Sequence, residues 1–429
     1  MIVSSINKNV SRNKIYFWNL LGNVFASGVS VLYLMVVSRL LSADMADQFS
    51  LASSIGSLWI VIGLFQVRNF QGTDVNGKYT LRDYFQTRVV TIGLMLVTSV
   101  PYSYIIGNGE YSAELVTLTI LFLLYRTGDA LSDVFQGFLQ QIGRLDIAGM
   151  LMTYRYLISI IIFYVALSLT KSINFAIICL IIFTFFYIIL IEGYFVKQNT
   201  YFAWRMILEK WNWVGIINIL KACFPLFING YLLLSVLNQP KIVIEKGMQL
   251  GLLETGIQRD FNILFMPVFF MSMCILVIRP QITNMAYLWG KRDYAQFSLS
   301  LKKMFLALGV VGGGSVIASN VIGIPILSLV FGVDLSKYVF ELTILVLSGT
   351  LYSIAIAIEN VLTIFRKHST LVMTYLFIFF LSSVIYQPLI FKFGIMGASV
   401  AFMIVMGVYT LGAITTYWIV INRERGRNV

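Results

Sequence analysis

The chain has 429 residues, 59% hydrophobic and only 12% charged, with 31 Lys and Arg against 19 Asp and Glu for a net charge of +12. Soluble domains carry about 25% charged residues, so a mean hydropathy of +0.85 excludes a soluble globular protein: the charges are too few to cover that much apolar surface. Cysteine and histidine usage narrows the chemistry further. Cys179, Cys223 and Cys274 fall inside apolar runs without disulfide or ligand spacing, and the one histidine, His368, follows Arg366 and Lys367 in a basic loop.

Twelve apolar runs follow in chain order. The first, Tyr16–Val37, is too long for a signal-peptide core and no small-residue cleavage site follows it, so it reads as a retained span. Gln48–Val67, Val89–Ile106, Ala113–Phe138, Ile147–Leu169 and Ile173–Val196 complete the first half. The second half holds Ala222–Leu237, Phe261–Val277, Met304–Ile322, Leu335–Leu362, Leu371–Ile390 and Gly394–Ile421. Solid apolar runs rather than alternating ones predict helices, because a helix satisfies its own backbone in lipid. With the N-terminus inside, 22 Lys and Arg fall in inside segments and 7 in outside segments, while Arg126 and Arg155 lie within spans. That bias predicts both termini cytoplasmic. It also accounts for the basic balance without nucleic acid, and anionic membrane lipids are the expected company of these loops.

Met152-Thr153-Tyr154 opens the fifth span and Met373-Thr374-Tyr375 the eleventh, 221 residues later, which suggests a duplication. The expected plan is all-α and polytopic. A six-helix bundle over residues 1–196 and a second over 222–429 form two pseudo-symmetric halves around a central cavity, a layout common among transporters. Residues 197–221, with Trp204, Trp211 and Trp213, read as a cytoplasmic or interfacial linker.

The fourth span carries the strongest local signal. Arg126, Asp129 and Asp133 are spaced by three and four, which puts them on one helical face. Charges inside a bilayer cost roughly 2.5–3.5 kcal/mol each on insertion scales, so they face protein or water. Two readings fit: a cavity face in which Arg126 meets an anionic group and an aspartate couples or gates, or an ion-pair lattice that locks the helix in place. Arg155 in the fifth span is a second cation for such a cavity or the partner of Asp129 or Asp133. Glu359, flanked by apolar residues, suits a proton or cation site or a snorkelling helix end. Arg39 closes the first span as a cap on the outer mouth or an interfacial anchor. No metal site, cofactor or catalytic residue is expected.

Several segments resemble the polysaccharide-transporter branch of the multidrug/oligosaccharidyl-lipid/polysaccharide exporter superfamily, the O-antigen flippase type. They are VSRLLSADMADQFSLASSIGSL, IRPQITNMAYLWGKRDYAQF, LVFGVDLSKY and FKFGIMGASVAF, in the family's order over almost the whole chain. One departure is Met45-Ala46-Asp47, where a glycine is common, which leaves that turn's geometry open. The resemblance implies a flippase of lipopolysaccharide or related polysaccharide biosynthesis. It would move an undecaprenyl-pyrophosphate-linked oligosaccharide from the cytoplasmic to the periplasmic leaflet of a bacterial inner membrane by alternating access. Arg126 and Arg155 would meet the pyrophosphate, and Tyr125, Tyr154 and Tyr156 would offer surfaces to sugars. Other polysaccharide-assembly membrane proteins are candidate partners. The rival reading is a cation-coupled multidrug exporter of the same superfamily using Asp129, Asp133 or Glu359. An enzyme is not expected: the longest outside loop, Asn238–Asp260, is too short to hold a catalytic apparatus, and no buried histidine is present.

Overall fold

The computed structural model describes residues 11–74, 77–106, 113–199, 210–365 and 368–427, and all regular structure among them is helical. In chain order these are α1 (Arg12–Leu40), α2 (Ala43–Leu64), the short α3 (Val67–Thr73), α4 (Leu81–Ile106), α5 (Ala113–Gln141) and α6 (Leu145–Thr170). α7 (Ile173–Phe186) runs through a π-turn at Tyr187–Glu192 into α8 (Gly193–Asn199). Then come α9 (Trp213–Gln249), α10 (Ile257–Gly290) and α11 (Tyr294–Ala318), the last passing through a second π-turn at Ser319–Gly323 into α12 (Ile324–Phe331). α13 (Val339–Ile364) and α14 (Val372–Arg427) complete the chain. Nine stretches among the described residues are long and apolar enough to cross a membrane, and one of them, Val372–Arg423, is long enough to do so twice. α4 and α10 hold the two remaining apolar runs. The protein is an all-α, multi-pass membrane protein of two helical bundles.

Short polar side chains mark the helix starts. Ser42, Ser172 and Asp293 each accept a backbone N–H three residues on, from Met45, Phe175 and Gln296, which satisfies a donor the first turn would otherwise leave open. The departure at Met45-Ala46-Asp47 is thereby resolved: these residues form the first turns of α2 under the Ser42 cap. Asn212 opens α9 in the same way, accepting from Gly215 N–H, and donates to Asp83 at the start of α4. Between α3 and α4, Asp74 accepts from the Lys78 and Tyr79 amides and the Tyr84 hydroxyl. Partial burial raises this carboxyl, yet the three donors outweigh it and hold Asp74 below the usual carboxylate range.

The chain divides into two compact units between Tyr231 and Leu232, within α9. In the N-terminal unit α1 packs along α6 and α2 along α5. The α1–α6 crossing is close because glycines meet there: a Cβ at Gly22 would lie 2.7 Å from the carbonyl oxygen of Gly149. A core of Phe65, Tyr84, Phe85, Val134, Phe135, Phe138 and Ile188 is completed by Ile219 and Cys223 from the first part of α9. Each such large side chain contributes about 1.5–3 kcal/mol when fully buried. In the C-terminal unit α10 packs on α13 and α13 on α14.

Three segments differ from the apolar runs read in the sequence. The second span ends at Leu64, not Val67, because Phe65 and Gln66 are both left-handed (φ 43° and 56°) and break the helix. Phe65 nevertheless stacks on Phe227 of α9 at 4.2 Å and 12°. The seventh helix begins at Trp213, inside the stretch read as a linker, and continues to Gln249, and α10 starts at Ile257, so most of the loop expected at Asn238–Asp260 is helical. The eleventh and twelfth runs are continuous in α14 except at Gly394 (φ 56°, ψ −131°). Only glycine adopts that conformation without strain, and no atom other than a Leu253 methyl at 3.9 Å approaches a Cβ there. Gly394→Ala therefore tests conformation alone. It is expected to cost about 1–3 kcal/mol, read as a lower melting temperature in detergent; an unchanged melting temperature contradicts the assignment.

The repeated Met-Thr-Tyr element does not place its tyrosines alike. Tyr375 is fully buried, whereas Tyr154 is half-exposed with its ring beside Trp18 of α1 at 5.9 Å.

Candidate functional site: a buried charge network in the N-terminal unit

α5 presents Arg126, Asp129, Asp133, Gln136 and Gln140 along one stripe, at the three- and four-residue spacings that share a helical face. The structure brings together four of the sequence's candidates, Arg126, Asp129, Arg155 and Tyr156. Asp129 is shared by two guanidinium groups: Arg126 Nη1 at 2.7 Å on one oxygen and Arg155 Nη1 at 2.9 Å on the other. The Tyr156 hydroxyl donates to the same oxygen as Arg155, at 3.0 Å, and the Arg155 guanidinium lies over the Tyr156 ring at 4.5 Å. Arg155 is 2% exposed. A guanidinium so buried is sustained only by such pairing and by its planar fork of donors.

Asp133 belongs to a second cluster. It accepts from Arg88 at 2.6 Å and lies 3.5 Å from Arg68. Arg88 also donates to the carbonyl of Gly63 at the C-terminal end of α2, where a cation complements the helix dipole. Arg68 donates to Gln136 and Gln140, at 2.7 and 3.3 Å. The clusters are joined through Gln136, which donates to Ser132, which donates to Glu192, whose same oxygen lies 3.6 Å from Arg155 Nε. A continuous polar ladder thus runs from Arg126 to Arg88 through the bundle. It counts four arginines against three carboxylates, a surplus of one positive charge.

The other candidates stand apart. Tyr125 is buried but exchanges its hydroxyl hydrogen bond with Tyr33 at 3.2 Å, and Tyr33 donates on to Ser159. Arg39 stands exposed in the last turn of α1. Glu359 is in the C-terminal unit, where Tyr409 donates to it at 3.4 Å and shares a hydrogen bond with Tyr375 at 3.1 Å. Arg366 and Lys367 lie outside the described residues.

Asp133, on the stripe with Asp129, pairs with other arginines than Asp129 does, and Arg88, outside the apolar runs in sequence, is fully buried inside α4. α4 begins at Leu81, eight residues before the apolar run, so its charged first turns are packed into the unit. Glu192 was not singled out at all. A carboxylate inside the run FTFFYIILIEGYFV is the same signal that marked Asp129, and it would have found this one. Glu192 ends the π-turn Tyr187–Glu192, a distortion frequent at functional sites. Its second oxygen, and the Nε atoms of Arg88, Arg126 and Arg155, are buried with no hydrogen-bond partner among the described residues.

No family model matches the chain. Its fold is that of the multidrug MATE transporters of the MOP superfamily. An inward-facing multidrug resistance MATE family transporter aligns with a TM-score of 0.69 at 12% identity, over 99% of this chain and 98% of that one. A Pyrococcus furiosus MOP-superfamily transporter, described by a binding pocket of reverse polarity, aligns at 0.63 and 12% identity over 96% and 95%. By sequence the chain is similar to the capsular polysaccharide biosynthesis protein CapF of Staphylococcus aureus, 23% identical over 313 residues that make up 72% of this chain and 75% of that protein.

Proposed function

We propose that the protein is a transporter of a lipid-linked polysaccharide precursor, a flippase that carries an undecaprenyl-pyrophosphate-linked oligosaccharide to the outer leaflet of a bacterial plasma membrane, with both termini cytoplasmic. The observation that carries this reading is the positive surplus of the buried ladder, four guanidinium groups to three carboxylates, because an interior built for a cationic drug would carry the opposite sign. The similarity to a capsular polysaccharide biosynthesis protein supports it, as does a fold shared with transporters. The reading requires no bond to be made or broken, and the chain's residues bind, orient and release.

A second reading, a cation-coupled multidrug exporter, is favoured by one feature: Glu192, Asp129 and Asp133 supply interior carboxylates, and one Glu192 oxygen has no hydrogen-bond partner among the described residues. A chromosomal deletion separates the two. Loss of surface glycan with lipid-linked repeat units held on the cytoplasmic leaflet, rescued by the intact gene, is the expected result. Normal surface glycan with new sensitivity to cationic drugs would sink the flippase reading in favour of the exporter.

A further inference from the structure

We propose that the C-terminal unit holds an anion-binding site built on Lys241, and that the group it takes is a phosphoryl group. The natural source of that group rests on the flippase reading; the site itself does not. Among the cations buried in helices, Arg88 and Arg155 each have a carboxylate at 2.6 and 2.9 Å, and the partly buried Arg126 has one at 2.7 Å. Lys241, 6% exposed on α9, makes no ion pair and no hydrogen bond among the described residues. Its ammonium lies 5.3 Å from the ring centre of Phe265 and 5.4 Å from that of Phe269. The ring faces attract the charge but leave its three N–H donors without oxygen acceptors. The arginines to which the sequence assigned the anion have their charge answered by the protein; the lysine's is not.

A second observation points the same way. Gln258, Asn262, Phe265 and Phe269 share one face of α10 at spacings of four, seven and eleven. Gln258 on that face is fully buried with both amide atoms unpartnered. Buried polar groups are normally satisfied, so the unanswered carboxamide, about 10 Å along the helix from Phe265, is a second group on this face that an extended polar ligand would complete. An ammonium binds phosphate as a point charge, needing none of the fork geometry of arginine. The unanswered carboxamide supplies both a donor and an acceptor, which suits a hydroxyl on a sugar attached to the phosphate.

The test uses the full chain in zwitterionic phosphatidylcholine nanodiscs, with inorganic pyrophosphate titrated calorimetrically into the parent, Lys241→Arg and Lys241→Met. We expect Lys241→Met to weaken binding about 10- to 100-fold, the loss of a charge-assisted hydrogen bond, and Lys241→Arg to retain it. Because a buried charge without a carboxylate is removed, Lys241→Met should also melt no lower than the parent. No pyrophosphate binding by the parent, equal binding by Lys241→Met, or a lower melting temperature for that variant would each overturn the site, the last by making the cation a structural one. Repeating the titration with polyprenyl pyrophosphate in the disc, and separately with phosphatidylglycerol, distinguishes the sources. A Lys241-dependent response to the polyprenyl compound supports a lipid-linked phosphate, whereas a response to phosphatidylglycerol alone overturns it in favour of a headgroup contact. Lys241-dependent pyrophosphate binding in a protein whose deletion leaves surface glycan normal would refute the flippase reading and leave the anion site standing.

Discussion

Arg155→Ala is expected to destabilise the protein by about 3–5 kcal/mol, the cost of breaking a buried pair from one side. The substitution leaves Asp129 with Arg126 as its one cation, beside the Tyr156 hydroxyl, and Glu192 with the Ser132 hydroxyl, both carboxylates at least nine-tenths buried. The expected readout is a sharp fall in folded yield and melting temperature in detergent. Neutralising both sides should be milder: Arg155→Gln with Asp129→Asn leaves no uncompensated charge at that contact, although Arg126 then loses its acceptor. A double variant as damaged as the sum of the singles would contradict the pairing, since contacting residues are expected to couple. The same geometry changes what a transport assay on Arg155 means. Charge reversal there removes protein as well as transport, so only variants of normal yield report on substrate.

Gly149→Ala should be nearly as severe for a different reason. A Cβ at Gly149 runs into the backbone carbonyl of Trp18, and the amide of Asn19 stands 2.7 Å away. Backbone cannot swing aside as a side chain does, so α1 and α6 must separate. Overpacking commonly costs about 1–3 kcal/mol, and this contact belongs at or beyond the upper end. Gly22→Ala presses on the same crossing from the other helix, 2.7 Å from the Gly149 carbonyl. The double variant should therefore cost less than the two singles added, because one separation serves both. Melting temperatures of the three proteins check this, and strict additivity would mean that the two glycines do not share a crossing.

Much of this was legible in the sequence. Twelve apolar runs name twelve helical passages, because in lipid only helices and closed barrels satisfy the backbone and barrel strands would alternate. The stripe Arg126–Asp129–Asp133 was legible because helical spacing is periodic. What was not legible is tertiary. Arg155 and Asp129 are 26 residues apart, and nothing in either local sequence selects the ion pair over the cavity-lining alternative. Arg88 and Arg68 sit outside apolar runs and so resemble topology markers, yet they are drawn into the bundle by Asp133 and the glutamines of α5. Lys241 was placed in a loop because its segment, LNQPKIVIEKG, is too mixed to count as a span; packing, not hydropathy, keeps it helical. The break at Phe65–Gln66 had no glycine or proline to announce it.

One helix serves two masters. Ile219, Cys223 and Phe227 of α9 complete the core around Phe65 and Phe135, while beyond Tyr231 the same helix reaches partners such as Gln239 with Ser382. As the chain leaves the ribosome, the N-terminal bundle is unfinished when its sixth passage has been inserted. It stays open on the face where Phe65 waits, until about thirty further residues emerge and the first turns of α9 arrive. A nascent chain stalled near residue 199 would present an exposed aromatic seat to chaperones and membrane proteases, whereas one stalled past residue 231 would not. The order of synthesis is thereby written into the packing: the residues that close the first half belong to the helix that opens the second.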